Sequence, residues 1–378
     1  MESKSFSTKS EIVIHGKDNM RPHVKGLHII GLDMGYSGPK CFNERGNFVF
    51  PNYCRKITGE IIGELNKNDI IYKNLETKEK YAVGIMALRS LNEEDVVSED
   101  ILYGRNHYLH INFKVVFETS LGLSLWDTKT DGSDVFLQTG LPPLYITKDE
   151  SYLRSVIEGE HKFELTLGNA TKQFNIILKK NNIDVMSQPM GTLTSLLFND
   201  QGMPTSNAIS LMKSNLMVFD CGFGTLDTFL IKANQLESKN TNPNLGMKRV
   251  LIETKKLIEK DLGVSISLIG MQKILREGVI HINDLVTFTT KEYPINDYLL
   301  KANNIVCKEA LESIKDYIFN IKYLIMTGGT SEAWINYFRE KLKNTNVEII
   351  QGNQSTSLPI IYANARGYYF SRLQKSRY

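Results

Sequence analysis

The sequence predicts an α/β protein built from two related halves that face a common cleft. Three observations carry this. Residues 31–40, GLDMGYSGPK, follow the apolar run LHII and bring an aspartate, glycines, a serine and a lysine into one short stretch. Residues 218–227, VFDCGFGTLD, repeat the device: Asp33-Met34-Gly35-Tyr36-Ser37 is answered by Asp220-Cys221-Gly222-Phe223-Gly224 about half the chain later, the spacing of an internal duplication. Residues 321–330, IKYLIMTGGT, form an apolar strand that ends in a glycine pair before the helical stretch SEAWINYFREKL.

The elements follow in order. Residues 1–26 are polar and mixed in charge, without a signal-peptide core, and read as a flexible tail. Residues 27–188 with 358–378 form the first domain, with a small insertion at about 43–100 made of short strands and acidic loops. KFELTLGNATKQFNIIL alternates as a β-hairpin around Gly168-Asn169. In IDVMSQPMGTLTSLLF a strand precedes Gln188, and Pro189 stands where a helix begins. Residues 189–357 form the second domain, with a mostly helical insertion at about 246–319, where Met247, Val250, Leu251, Leu257 and Ile258 keep roughly helical spacing. Ser331 is placed to cap the helix after the glycine pair. In the last helix Ala363 and Gly367 are four apart and allow a close helix crossing.

Composition narrows the function classes. The chain has 378 residues, enough for two or three domains. A net charge of +3 gives no general affinity for polyanions. Cys41, Cys54, Cys221 and Cys307 form no C-x-x-C pair and read as reduced thiols of a cytoplasmic protein. No apolar run approaches the roughly 18 residues of a membrane span. His107 and His110 read as polar surface histidines rather than metal ligands, and Tyr368, Tyr369 and Phe370 as packing residues.

The residue types in the hairpins point to a phosphate. Glycines let backbone N–H groups approach phosphate oxygens. An aspartate at a strand end can hold Mg²⁺ through water. Lys40 supplies a point charge for the outer phosphates. Two facing hairpins would clamp a Mg-nucleotide between the domains. The glycine pair Gly328-Gly329 lets backbone lie against a base or an α-phosphate, and Gln188 at a helix start can orient a water.

The ordered set of phosphate hairpin, interdomain helix, second hairpin, glycine turn and second interdomain helix resembles the actin, sugar-kinase and heat-shock ATPase superfamily. QTGLPPLYIT and SQPMGTLTSLL are most similar to the ParM-type plasmid-segregation actins. The resemblance covers about residues 27–375. It implies an actin-like (ribonuclease H-like) fold: duplicated α/β domains, each with a five-stranded mixed sheet flanked by helices, and smaller inserted subdomains. It implies that Asp33 and Asp220 are the aspartates that hold Mg²⁺ through water. Ser37, Lys40, Gly222, Gly224 and Thr225 would meet phosphates and Gly328 and Gly329 adenosine, with Gly35, Tyr36, Phe223 and Thr330 as further nucleotide-binding residues. Glu253 and Lys256 would lie near ribose and adenine. Gln188 takes the water-positioning place that some relatives fill with Glu; it cannot act as a base, so slow hydrolysis is expected. Pro39 beside Lys40 departs from the pattern and is expected to bulge its strand.

The function so implied is an ATPase (with ATP, or GTP in its place, and Mg²⁺) that polymerises into dynamic filaments and segregates plasmid DNA. A DNA-binding adaptor at the filament ends would make the DNA contact, so neither direct nucleic-acid contact nor membrane association is expected. The alternatives are a sugar- or acetate-type kinase of the same fold, which needs a carboxylate base, and a non-segregating cytoskeletal scaffold.

Overall fold

A computed structural model of the chain describes residues 3–15, 20–91, 102–104, 107–284 and 286–377. Two mixed sheets organise it. The first runs in the order Glu11–Ile14, Gly46–Val49, Gly38–Asn43, His28–Gly35, Val135–Leu141, Ile183–Ser187. The second runs Gln235–Asn242, Leu226–Lys232, Leu216–Cys221, Tyr323–Thr327, Glu348–Gln351. Beyond the edge strand Glu11–Ile14 of the first sheet, both hold three antiparallel neighbours followed by two parallel additions. Apart from that extra edge strand the two orders match, so the duplication read from the D-x-G repeat is a duplication of topology. This is the actin-like α/β architecture.

The central strands are continuous apolar runs because helices cover both faces. Leu216–Cys221 and Tyr323–Thr327 are buried at every position. The helices Gln188–Leu197 and Ala363–Lys375 cross between the halves. They meet at glycines: a Cβ on Gly367 would stand 1.7 Å from the Gly191 carbonyl oxygen. Tyr368, Tyr369 and Phe370 on the second of these helices are fully buried.

Several expectations are corrected. The first sheet has six strands, because Glu11–Ile14 of the supposed flexible tail pairs antiparallel with Gly46–Val49. Its run EIVI is a short β-branched strand that the polar surroundings masked. The first insertion begins only after Val49 and shares its five-stranded sheet with the hairpin Gly159–Leu167/Ala170–Leu178. That hairpin turns at Gly168-Asn169 as read from sequence. The second insertion holds helices Met247–Leu262, Gly270–Glu277 and Asn296–Glu312, and also a hairpin, Val279–Asp284/Thr289–Pro294. Ser331 is the first helical residue rather than the cap, and its hydroxyl donates back to the Thr327 carbonyl. Pro39 does not bulge its strand: Gly35–Gly38, Met34–Pro39 and Asp33–Lys40 pair in unbroken register, with Pro39 one residue beyond the turn. His107 is buried rather than at the surface, and His110 precedes helix Ile111–Ser124.

Candidate functional site

The cleft between the halves is lined by both hairpins, the glycine turn and the two interdomain helices. Its empty space, open solvent included, is about 980 Å³. Asp33, Gly35, Tyr36, Ser37, Lys40, Gln188, Asp220, Gly222, Phe223, Gly224, Thr225, Gly328, Gly329 and Thr330 all line it. The structure thus brings together residues from four separated segments. Glu253 and Lys256 lie outside this lining. They pair with each other (Nζ–Oε1 3.0 Å) on helix Met247–Leu262, whose inward face is Val250, Leu251, Thr254 and Ile258. The resemblance that suggested them points to this helix, where the two charges pair with each other.

Each acid sits at the end of a buried central strand. Asp33 and Asp220 are almost wholly inaccessible. Burial raises the Asp33 carboxyl above its ordinary value, opposed by the Lys40 charge and a hydrogen bond from Gln188. Gln188 Nε2 donates to Asp33 Oδ1 over 3.2 Å. Burial pushes Asp220 up to about 6, against a hydrogen bond from Asn364 and with repulsion from Asp33. Lys40 Nζ lies 3.4 Å from Ser37 Oγ within its own hairpin.

The hairpins touch. A Cβ on Gly224 would stand 2.4 Å from the Tyr36 ring, so only glycine lets the second hairpin close on the first. The glycine turn is tied to the second hairpin: Thr330 Oγ1 donates to the Gly222 carbonyl over 2.8 Å and Thr330 N to the Cys221 carbonyl over 3.1 Å. Gly328 has φ +84°, and a Cβ there would meet the Cys221 carbonyl oxygen at 2.3 Å. Both the backbone conformation and the space require glycine. His107 supports the first hairpin from behind, its ring 4.9 Å from that of Tyr36.

Two functional residues were missed from sequence. Asp227 lines the cleft opposite Asp220 in the strand register. Burial, then repulsion from Asp220, pushes it up to about 8. Thr225 Oγ1 donates to Asp227 Oδ2 over 2.8 Å, and hydrogen bonds from Thr241 and Thr225 oppose the rise. The signal was present: Asp227 follows Asp220 at the interval by which Lys40 follows Asp33. Asn364 had no local signal. Its Nδ2 donates to Asp220 Oδ2 over 2.7 Å and its Oδ1 accepts from Thr192 Oγ1 over 2.7 Å, linking both interdomain helices to the acid.

The fold is that of the actin-like proteins, with a cleft between its two halves. Residues 31–191 match the family model described as the actin-like proteins' N-terminal domain. Among solved structures the chain is similar to ParM proteins. It superposes on a non-polymerisable quadruple mutant of the pCBH ParM with TM-score 0.70 at 18% identity, covering 92% of this chain and 99% of that one. It matches a 15-stranded ParM filament from Clostridium botulinum with TM-score 0.69 at 18% identity, covering 93% and 99%. An archaeal actin homolog in complex with ADP matches with TM-score 0.59 at 16% identity, covering 92% and 100%. No curated protein sequence matches. Among the described residues no helix is long and apolar enough to cross a membrane, and no cluster of three metal-ligating side chains occurs.

Proposed function

We propose that this chain is a cytoplasmic actin-like ATPase that binds a Mg-nucleoside triphosphate, ATP or GTP, in the interdomain cleft and polymerises into dynamic filaments. The observation that carries the reading is the convergence of two glycine hairpins and their aspartates on one cleft. The donor set suits a hydrated divalent cation beside phosphates. Asp33, Asp220 and Asp227 are three buried acids of the cleft with Lys40 as the facing cation. Mg²⁺, when bound, would neutralise charge on the phosphates.

The chain's own residues have distinct tasks. Glycine backbone at 35 and 224 lets the hairpins approach phosphate oxygens closely, and Lys40 adds a point charge. Gln188, held against Asp33, orients a water but cannot take its proton, so turnover is slow. The likeness to a ParM filament supports self-association as the output, and plasmid segregation through a DNA-binding adaptor is the role we assign to it. Light scattering and phosphate release followed together after mixing with Mg-ATP test this. Scattering that rises before phosphate appears and then decays is expected. Phosphate release without scattering would leave a non-polymerising ATPase or a kinase, and acceptor-dependent turnover with sugars or acetate would establish the latter.

A further inference from the structure

We propose that the N-terminal segment is a strap that covers the nucleotide cleft and must lift from the second half for nucleotide to enter or leave. The inference rests on the nucleotide reading of the cleft. Strand Glu11–Ile14 anchors the segment to the edge of the first half's sheet, along Gly46–Val49. Gly46 makes that anchor close, since a Cβ there would meet the Val13 carbonyl oxygen at 1.9 Å. From this anchor the chain crosses to the second half. Phe6 is buried in the second half's apolar core, against helix Gly270–Glu277. The Thr8 backbone N–H and hydroxyl lie 3.1 and 3.2 Å from Gln272 Oε1. Lys9 Nζ pairs at 3.3 Å with Glu332, on the helix that follows the glycine turn.

Between these fixed points Ser5, Ser7, Thr8 and Lys9 line the same cavity as the phosphate hairpins. Three of them carry small hydroxyl side chains, which roof the cavity rather than fill it. The two sides of the strap differ in strength. The first-half side is a strand ladder. The second-half side includes the buried Phe6 ring and Ser3, the Gln272 acceptor and one exposed ion pair, with no strand ladder among the described residues, and exposed pairs contribute little. Opening therefore frees the second-half contacts and leaves the strand in place, as for a lid hinged at one end.

Stopped-flow kinetics of mant-ATP with Mg²⁺ on the full chain test this, with Phe6→Ser and Gln272→Ala as the latch variants. Both association and dissociation are expected to quicken, by about tenfold or more. Amide exchange is expected to show Ser7–Lys9 losing protection while His28–Gly35 and Leu216–Cys221 keep theirs. If Phe6→Ser unfolds the second half, Gln272→Ala carries the test. Unchanged rates with freely exchanging strap amides would overturn the strap, as would strap amides that stay protected in both variants. Faster dissociation with unchanged association would also overturn it, because the segment would then be a wall of the site. Binding by the variants alone would support it. No binding by any chain would overturn the nucleotide reading and the strap with it, whereas wild-type binding with unchanged variant rates overturns the strap alone.

Discussion

Lys40 and Asp227 hold the same rung of the two hairpins: Lys40 stands opposite Asp33 and Asp227 opposite Asp220 in otherwise matching ladders. The duplicated halves are thus electrostatically unlike. One hairpin pairs its acid with a cation, and the other crowds two acids together. Repulsion in a buried pair favours the protonated form, and a divalent cation would relieve it. Asp220→Ala is expected to abolish Mg-dependent hydrolysis. Asp227→Asn, which keeps an acceptor for Thr225, is expected to slow it on the order of 10²-fold. Phosphate release at saturating Mg-ATP measures both, and unchanged turnover in either variant removes that acid from the site.

Gln188→Ala is expected to reduce hydrolysis on the order of 10²-fold by freeing the attacking water, with nucleotide affinity unchanged. Filaments should then persist longer in a scattering decay. A collapse of nucleotide affinity would instead make Gln188 structural, through its bond to Asp33.

The glycine crossing of the interdomain helices predicts a stability effect. Gly367→Ala drives a methyl into the Gly191 carbonyl, and the helices must separate at a cost of about 3 kcal/mol. Gly59→Ala is the control, because a Cβ there meets nothing within 4 Å. Denaturant midpoints that are equal for the two variants would contradict the crossing.

His107 predicts an acid weakness. Burial lowers its pKa to about 4, against a hydrogen bond to the Gly104 carbonyl and the Asp149 charge, with His110 adding to the lowering. The folded state therefore binds the proton less readily than the unfolded chain, whose histidine titrates near 6.5. Stability from this group is fully present above about 6.5 and falls as pH drops toward about 4, by about 3 kcal/mol at most. His107→Phe should lower stability at neutral pH by about 1 kcal/mol through the lost bond to Gly104 and flatten that window. Unfolding free energies that keep the same difference between the two chains from pH 7 to pH 4 would refute the assignment.

Much of the site was legible because it is built from short runs with strict chemistry. A hairpin that bares its N–H groups must carry glycine, so D-x-G stood out twice, and the apolar strands that precede it marked the sheet centres. The same interval logic contained Asp227, but a carboxylate where its twin has a lysine conceals the equivalence. Glu253 and Lys256 misled because solvated helix charges look alike whether or not a cleft lies beneath them.

Local chemistry and periodicity suffice to specify the two halves, the hairpins and the central strands. What crosses between segments is set by packing: Asn364 reaching Asp220, Tyr36 closing on Gly224, and the N-terminal segment joining one half's sheet and the other half's core. Those contacts depend on surfaces that exist only once the halves are folded and packed. A polar N-terminal segment cannot bury enough apolar area to order itself, but a finished sheet edge and a ready pocket for Phe6 supply the missing partners.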